Sequence, residues 1–292
     1  MQKSCLYKIL VNNLVCFVVF SKEELESTHV EVFTERMKNL FRFPYQIFFY
    51  GRNFEGFKEY IGKYIEPENM AIPEPKIYSE PETTGNVYFT NYDMVQMEMS
   101  RIGRGQLVNI GNFGKINVFN EYFGRGLSSI VFQEIRESKS LAYSAYVSYA
   151  ANSELNHPDY ITMYIGTQPD KLQIAVDTLT ELMNELPEVP AQFENARNAA
   201  LKQIASARIT RTNIFFNTLR LRKLNISHDF RKDIYQQIES LTFEDVKEFY
   251  NNYIKSVQFN TALIGKKENL NMNAVTQMGT FKEVTLKDIF GH

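Results

Sequence analysis

One proline-rich stretch divides this chain and limits what each side of it can fold into. Residues 66–85 read EPENMAIPEPKIYSEPETTG, with four prolines, many acidic residues and no apolar period. Each proline disfavours helical geometry in the residue before it, so this stretch is predicted to be an extended linker. At roughly 100–200 residues per domain, a chain of 292 residues has room for one or two domains.

Composition and charge narrow the class of protein. The 32 basic and 34 acidic residues give a net charge near −2, without the basic excess typical of nucleic-acid-binding domains. The two cysteines, Cys5 and Cys16, exclude a disulfide-rich secreted scaffold, and they do not have the spacing of a metal site. The apolar fraction of 44% is ordinary for a globular protein.

The N-terminal segment, residues 1–32, stays unassigned. Its apolar run Ile9–Phe20 is too short for a membrane span, which needs about 20 apolar residues. Because Lys3 and Lys8 precede the run, one interpretation is a weak export signal. Another is that the run forms a buried strand or helix. A lipoprotein signal ending at Cys16 is a third and less favoured reading. The sequence does not determine the compartment, and both the cytoplasm and the periplasm stay open.

Apolar periodicity predicts helices and short strands on both sides of the linker. The predicted helices are Phe33–Leu40, Phe54–Ile65, Leu127–Arg136, Lys171–Leu186, Phe193–Ile209, Asn213–Leu224 and Thr242–Ile254. The predicted strands are Tyr45–Tyr50, Asn86–Met99, Ala142–Ala151, Tyr160–Thr167 and Phe259–Ile264. Lys115–Phe123 reads either as a strand or as a helix that runs into a tight turn, Gly124-Arg125-Gly126.

An internal repeat relates two segments of the chain. Phe33–Gly51 and Leu241–Gly265 each read as a helix, a short link and an apolar strand that ends in glycine. We therefore expect residues 33–82 to be the tail of a preceding repeat followed by the linker, and residues 83–292 to be one complete domain.

A motif in the second part resembles a known family. The segment FNEYFGRGLSSIVFQEIRESKSLAYSAYVSYA, residues 119–150, is similar to the signature of the C-terminal half of pitrilysin/insulinase-family zinc peptidases. The matching positions are Gly124, Gly126, Ser128, Ser129, Phe132, Arg136, Leu141, Ala142 and Tyr143. The resemblance implies an α+β fold, with a mixed or antiparallel sheet backed by helices in an insulinase-like repeat. It also implies two halves that close around a peptide, only one of which holds zinc.

The zinc motif of that family, H-x-x-E-H, is absent from this chain. The four histidines are His29, His157, His228 and His292, and no two of them are four residues apart. None of these pairs can present two imidazoles on one helix face, so we expect no metal site and no cofactor here. The chain alone is predicted to be inactive as a peptidase. The resemblance implies that zinc belongs to a partner half, either in a longer polypeptide or in a separate subunit.

The resemblance also suggests site residues. Relatives place an arginine and a tyrosine seven residues apart in the zinc-free half, and Arg136 and Tyr143 match that spacing. A fixed cation and a hydroxyl donor would hold a scissile carbonyl and stabilise its oxyanion. The simpler reading is that Arg136 suits a helix C-terminus and that Tyr143 is one of several strand tyrosines.

The turn residues Gly124, Gly126 and Ser128 would line the substrate-binding surface by the same resemblance. Two positions depart from the family pattern. Ser140 replaces the glycine that usually precedes the leucine, so we expect a different link from helix to strand. Arg125 adds a cation in the middle of the turn.

Two functions are favoured at this level, and a free α+β binding domain of unrelated function is a remote third. The first is a zinc-free half that encloses and positions a peptide for proteolysis by a zinc-bearing partner. The second is a non-catalytic peptide-binding or structural subunit. We expect no nucleic acid among the partners. We also expect no stable membrane span in the chain. Peptide specificity and oligomeric state do not follow from the sequence.

Overall fold

The computed structural model describes residues 20–40, 42–63, 71 and 80–290. Within these ranges the chain forms two compact units. The smaller unit takes in the described residues up to 71 together with 209–218, and the larger unit takes in 80–208 and 219–290. Most of the N-terminal apolar run and of the proline-rich linker lies outside the described residues, so their assignments stay predictions.

The smaller unit begins with three helices. They are α1 (Lys22–Ser27), α2 (Val30–Leu40) and α3 (Phe54–Gly62). Ser21 and Glu24 form a capping box at the start of α1, because each side chain bonds to the backbone N–H of the other residue. None of these three helices contains a buried residue.

The strand predicted at Tyr45–Tyr50 is wrong, because this segment has no regular secondary structure. A strand needs a neighbour that satisfies its backbone N–H and C=O groups, and no described part of the smaller unit forms one. Aromatic contacts hold the segment instead. Phe49 stacks on Phe57 with ring centroids 4.4 Å apart, and Phe48 stacks on Phe215 at 5.3 Å.

A six-stranded sheet forms the centre of the larger unit. The strands are β1 (Asn86–Asn91), β2 (Met97–Leu107), β3 (Ser144–Ala150), β4 (Pro158–Thr167), β5 (Phe259–Gly265) and β6 (Thr280–Glu283). Their order is β3-β4-β2-β5-β1-β6. β1 runs parallel to β5 and β6, and the other pairs are antiparallel. The expectation of a mixed sheet in an α+β fold is confirmed.

The strand predicted as Asn86–Met99 is in fact two strands. β1 and β2 lie on opposite sides of β5 and run in opposite directions relative to it. The chain must therefore leave the sheet between them, and Val95 in this connection is largely exposed to solvent.

Helices follow most of the strands. They are α4 (Phe113–Phe119), α5 (Ile130–Phe132), α6 (Leu172–Asn184), α7 (Pro190–Ser206), α8 (Arg211–Lys223), α9 (Arg231–Glu239), α10 (Phe243–Tyr253), α11 (Met272–Met278) and α12 (Leu286–Phe290). Two of them continue as π-helical turns, α4 into Asn120–Gly124 and α5 into Gln133–Ser138. The helical reading of Lys115–Phe123 is therefore confirmed.

One face of the sheet packs into the main hydrophobic core. Met97 and Met99 of β2 and Leu263 of β5 are buried in this core together with residues of α4, α6 and α10. The alternating residues Ile102 and Ala262 form a separate small cluster on the opposite face. The arrangement leaves the start of β3 at one edge of the sheet, next to the end of the α5 helical segment.

Candidate functional site

The glycine turn before α5 is shaped by backbone packing. A Cβ atom on Gly124 would lie 1.8 Å from the carbonyl oxygen of Val147 in β3, so only glycine fits there. Gly126 has a φ of 86°, in the left-handed region that glycine adopts without steric penalty. Between them, the Arg125 guanidinium donates a hydrogen bond to the Ser148 hydroxyl of β3.

Two serines follow the turn and have different environments. Ser129 is buried and caps α5, since its hydroxyl oxygen accepts from the N–H of Phe132 at 3.4 Å. Ser128 is exposed, and its carbonyl oxygen accepts from the Gln192 side chain.

The assignment of Gly124, Gly126 and Ser128 to substrate binding stays a prediction, and the structure gives Gly124 a packing role in addition.

Arg136 lies in the π-helical end of the α5 segment. Its side chain is 44% exposed, and its Nε is 3.8 Å from a carboxylate oxygen of Glu137. The guanidinium carbon lies 4.8 Å from the centroid of the Phe132 ring, one helical turn earlier. This cation–π contact restrains the guanidinium while leaving its N–H donors open to solvent.

The link from this helix to β3 has an unusual backbone. Ser140 has a φ of 50°, the left-handed geometry that the family glycine would adopt freely. The Ser140 carbonyl accepts from Lys171 Nζ at 2.9 Å. The Leu141 N–H donates to the Ile135 carbonyl at 2.8 Å, and the Leu141 carbonyl accepts from the Thr167 hydroxyl. The serine therefore keeps a glycine-like turn, and the departure noted in the sequence does not break the link.

Tyr143 lies just before β3, with its backbone tied to β4. Its N–H donates to the Gly166 carbonyl at 2.9 Å, while its side chain is exposed. The phenol oxygen accepts a hydrogen bond from Gln168 Nε2 at 3.1 Å. Because the amide is the donor, the hydroxyl hydrogen of Tyr143 remains available to another acceptor.

Arg136 and Tyr143 line one surface pocket of about 290 Å³. The other lining residues are Ser140, Leu141, Ala142, Gln168 and Lys171. The two residues matched to the family are therefore brought together, whereas Gly124, Gly126 and Ser128 do not line this pocket. Gln168 and Lys171 were not recognised as site residues, because Thr167-Gln-Pro-Asp170 reads in the sequence only as a helix start.

The described residues do not fit a zinc ion. Among them, no group of three or more His, Cys, Asp or Glu side chains is close enough to bind a metal. Two of the histidines have carboxylate partners instead. His157 Nδ1 lies 3.0 Å from Glu80 and His228 Nε2 lies 2.8 Å from Asp233. In the same described part of the chain, no helix has both the length and the apolar character that a membrane span requires.

Sequence comparison identifies the region that contains this pocket. Residues 57–200 match the family described as the peptidase M16 inactive domain. This part of the chain is similar to the peptidase M16 inactive-domain family. The resemblance to pitrilysin/insulinase-type zinc peptidases is thereby confirmed. One curated relative, described as the uncharacterized zinc protease YmxG of Bacillus subtilis (strain 168), is 39% identical over 69 residues, or 24% of this chain.

Solved structures share the M16 fold with this chain at low sequence identity. A peptidase M16 inactive domain from Pseudomonas fluorescens superimposes with a TM-score of 0.54 at 16% identity, over 69% of this chain and 47% of the other. A protease from Helicobacter pylori gives 0.57 at 16% identity, over 73% and 53%. The periplasmic protease PqqL from Escherichia coli gives 0.53 at 14% identity, over 73% and 24%. These likenesses support the fold alone.

The M16 relatives are much longer than the part of them that this chain matches. The chain covers 16% of the Bacillus protein and about half of the Pseudomonas and Helicobacter structures. The activity of a whole M16 peptidase therefore does not transfer to it directly.

Proposed function

We propose that this chain is the zinc-free half of an M16-type metallopeptidase and positions a peptide that a zinc-bearing half cleaves. The observation that carries the proposal is the meeting of Arg136 and Tyr143 in one pocket, within an M16 inactive domain. Arg136 comes from the end of a helix and Tyr143 from the start of a strand, and the Ser140 turn joins them.

The two side chains supply hydrogen-bond donors of different kinds. The guanidinium offers a fixed positive charge, and the Tyr143 hydroxyl offers a neutral donor whose oxygen is already occupied by Gln168. Together they would hold a peptide carbonyl and stabilise negative charge that develops on its oxygen. One lost donor in a site of this kind typically lowers the rate by about 10²–10³-fold.

The smaller unit supports the second part of the proposal, which is the need for a partner half. On α2, Val30, Phe33, Met37 and Leu40 form a stripe at helical spacing and are 49–68% exposed. In the repeat-related helix α10, by contrast, Val246, Phe249 and Tyr250 are buried in the core. We infer that the exposed stripe on α2 packs against the zinc-bearing half, which would supply the missing core.

Reconstituted activity tests this function. The chain would be combined with a zinc-bearing M16 half, and cleavage of a fluorogenic peptide would be measured. Arg136→Ala and Tyr143→Phe should each lower kcat/KM by about 10²–10³-fold. Arg222→Ala and Tyr92→Phe change exposed residues outside the pocket and serve as matched controls.

Two results would contradict the proposal. Full activity of both pocket variants in the reconstituted pair would remove Arg136 and Tyr143 from the site. Chelator-sensitive peptide cleavage by the isolated chain would contradict its assignment as the zinc-free half. Stable binding of the partner half without any effect on its cleavage rate would instead favour a structural subunit.

A further inference from the structure

We propose that the pocket around Arg136 and Tyr143 selects a peptide carboxylate and that Lys171 is the residue that determines this preference. The inference rests on the proposed function, because it assigns a substrate class to the same pocket. It depends on three features of the pocket: the sign of its charges, the anchoring of Lys171 and the position of the peptide group.

The charged residues that line the pocket are both basic. Arg136 and Lys171 are cations, and the other lining residues are neutral. Glu137 lies 3.8 Å from Arg136 Nε but is not among the lining residues. A peptide that enters this pocket therefore meets an excess of positive charge.

Lys171 is held at the pocket wall. Its side chain is half-buried, and its Nζ donates to the Ser140 carbonyl at 2.9 Å. Its backbone N–H donates to the Gln168 carbonyl at 3.1 Å, at the start of the helical turn before α6. An ammonium group has three donors, so this bond leaves two of them for a ligand.

The charge of Lys171 is not neutralised by the rest of the described chain. No described carboxylate lies within ion-pair distance of its Nζ, and its bonding partner Ser140 is a neutral carbonyl. Because opposite charges attract more strongly where water is partly excluded, a carboxylate gains more in this pocket than a neutral amide. A lysine or arginine side chain of a peptide would be repelled.

The same geometry indicates where the carboxylate lies along a peptide. Arg136 and Tyr143 would hold a backbone carbonyl, and Lys171 lines the same pocket of about 290 Å³. This space accommodates the held peptide group and one short neighbouring side chain. The carboxylate is therefore that of an adjacent Asp or Glu, or that of a peptide C-terminus directly after the held carbonyl.

Paired peptides test the preference in the reconstituted enzyme. One position beside the scissile bond would carry Glu, Gln or Lys, with the C-terminus amidated. A further Gln peptide would end at that position, in one version with a free carboxylate and in the other amidated. The wild type should prefer the Glu over the Gln peptide by about two- to fivefold in kcat/KM, a range typical of a partly exposed ion pair. The Lys peptide should be the poorest substrate, and the Glu preference should shrink as salt is raised.

Variants assign the preference to Lys171. Lys171→Gln should bring the Glu-to-Gln ratio close to one, Lys171→Arg should retain it, and Lys202→Gln on the exposed face of α7 is the charge-matched control. Thermal unfolding of each variant shows whether the pocket is still folded. A Glu-to-Gln ratio that is absent in the wild type or unchanged in folded Lys171→Gln would overturn the inference.

The two proposals fail in different ways. Loss of the Arg136 and Tyr143 function affects every peptide alike, whereas loss of the Lys171 function changes only the ratio between charged and neutral peptides. The free C-terminal peptide separates the two sources of carboxylate. If the free C-terminal peptide is preferred over its amidated form and the Glu peptide is not preferred over the Gln peptide, the pocket binds the C-terminal carboxylate. The reverse result shows that the pocket binds an acidic side chain.

Discussion

Gly124 lies against Val147 so closely that a Cβ atom on the glycine would be 1.8 Å from the valine carbonyl oxygen. The neighbouring atom belongs to the backbone of β3, so it cannot rotate away as a side chain would. This contact fixes how near the turn lies to β3, and it explains a glycine that the family signature also contains.

Replacement of Gly124 by alanine should therefore destabilise the larger unit. We expect Gly124→Ala to lower the free energy of unfolding by roughly 1–3 kcal/mol, the usual range for forced overpacking. Gly126→Ala meets open space but a φ of 86°, and it should cost only about 1 kcal/mol. Urea denaturation measures both values. A larger loss of stability for Gly126→Ala than for Gly124→Ala would contradict the assigned contact.

Ser140 gives a prediction of the opposite sign. Its φ of 50° is strained for a residue with a side chain, so Ser140→Gly should raise the free energy of unfolding by roughly 0.5–1 kcal/mol. Ser140→Val should lower it, because a β-branched residue tolerates this geometry least. Ser128→Gly, at an exposed position with negative φ, is the control and should not be stabilising. Thermal unfolding of the three variants provides the comparison.

Asp159 should make stability depend on pH. The residue is only 2% exposed, and its carboxylate accepts from the Tyr149 hydroxyl at 2.9 Å and the Asn152 N–H at 2.8 Å. Burial raises the pKa of Asp159 above its ordinary value, although both hydrogen bonds act in the opposite direction. The native state therefore binds the proton more tightly than the unfolded chain does.

The sign of that dependence follows directly. The stabilising contribution of the protonated Asp159 is complete below the unfolded pKa of about 3.9 and is lost as pH rises through the raised native pKa. The free energy of unfolding of the wild type, measured relative to that of Asp159→Asn, should accordingly fall as pH rises across this window. Denaturant unfolding at several pH values tests it, with Asp170→Asn, an exposed residue, as the charge control. A wild-type free energy of unfolding that rises with pH relative to that of Asp159→Asn would refute the assignment.

Two capping boxes of the same kind should have unequal effects. Asp245 N–H donates to the Thr242 hydroxyl oxygen at 3.3 Å at the start of α10, which buries three residues in the core. Ser21 caps α1, which buries none. Thr242→Ala should lower the free energy of unfolding of the larger unit by about 1 kcal/mol, and Ser21→Ala should leave it unchanged. Tryptophan is absent, so the 17 tyrosines and circular dichroism would report the transition.

Local signals in the sequence were sufficient for much of the larger unit. The capping pattern of Thr242 and Asp245 predicts α10, and the apolar stripe of Lys171–Leu186 predicts α6; both helices are present. β6 was missed because its four residues are mostly exposed and show no alternation, so only its pairing with β1 defines it. Tyr45–Tyr50 has the composition of a strand and lacks a neighbouring strand in the described chain.

The pocket also contains residues that local sequence patterns do not predict, because they are distant along the chain. The spacing of Arg136 and Tyr143 is visible in the sequence because one short turn separates them. Gln168 and Lys171 reach the pocket from the far end of β4, through bonds that span 25 and 31 residues. Such neighbours follow from strand pairing between β3 and β4, which no local pattern predicts.

The side chain of Asn120 has a consequence for how the sheet meets other molecules. Its amide donates to the Tyr149 carbonyl at 2.9 Å and accepts from the Tyr149 N–H at 2.8 Å, as a neighbouring strand would. With Gly124 pressed on Val147 beside it, the outer margin of β3 is already sealed over its second half. Before copies of the protein could pair through this margin of β3, these contacts would have to break. They therefore protect this edge of the sheet against edge-to-edge aggregation.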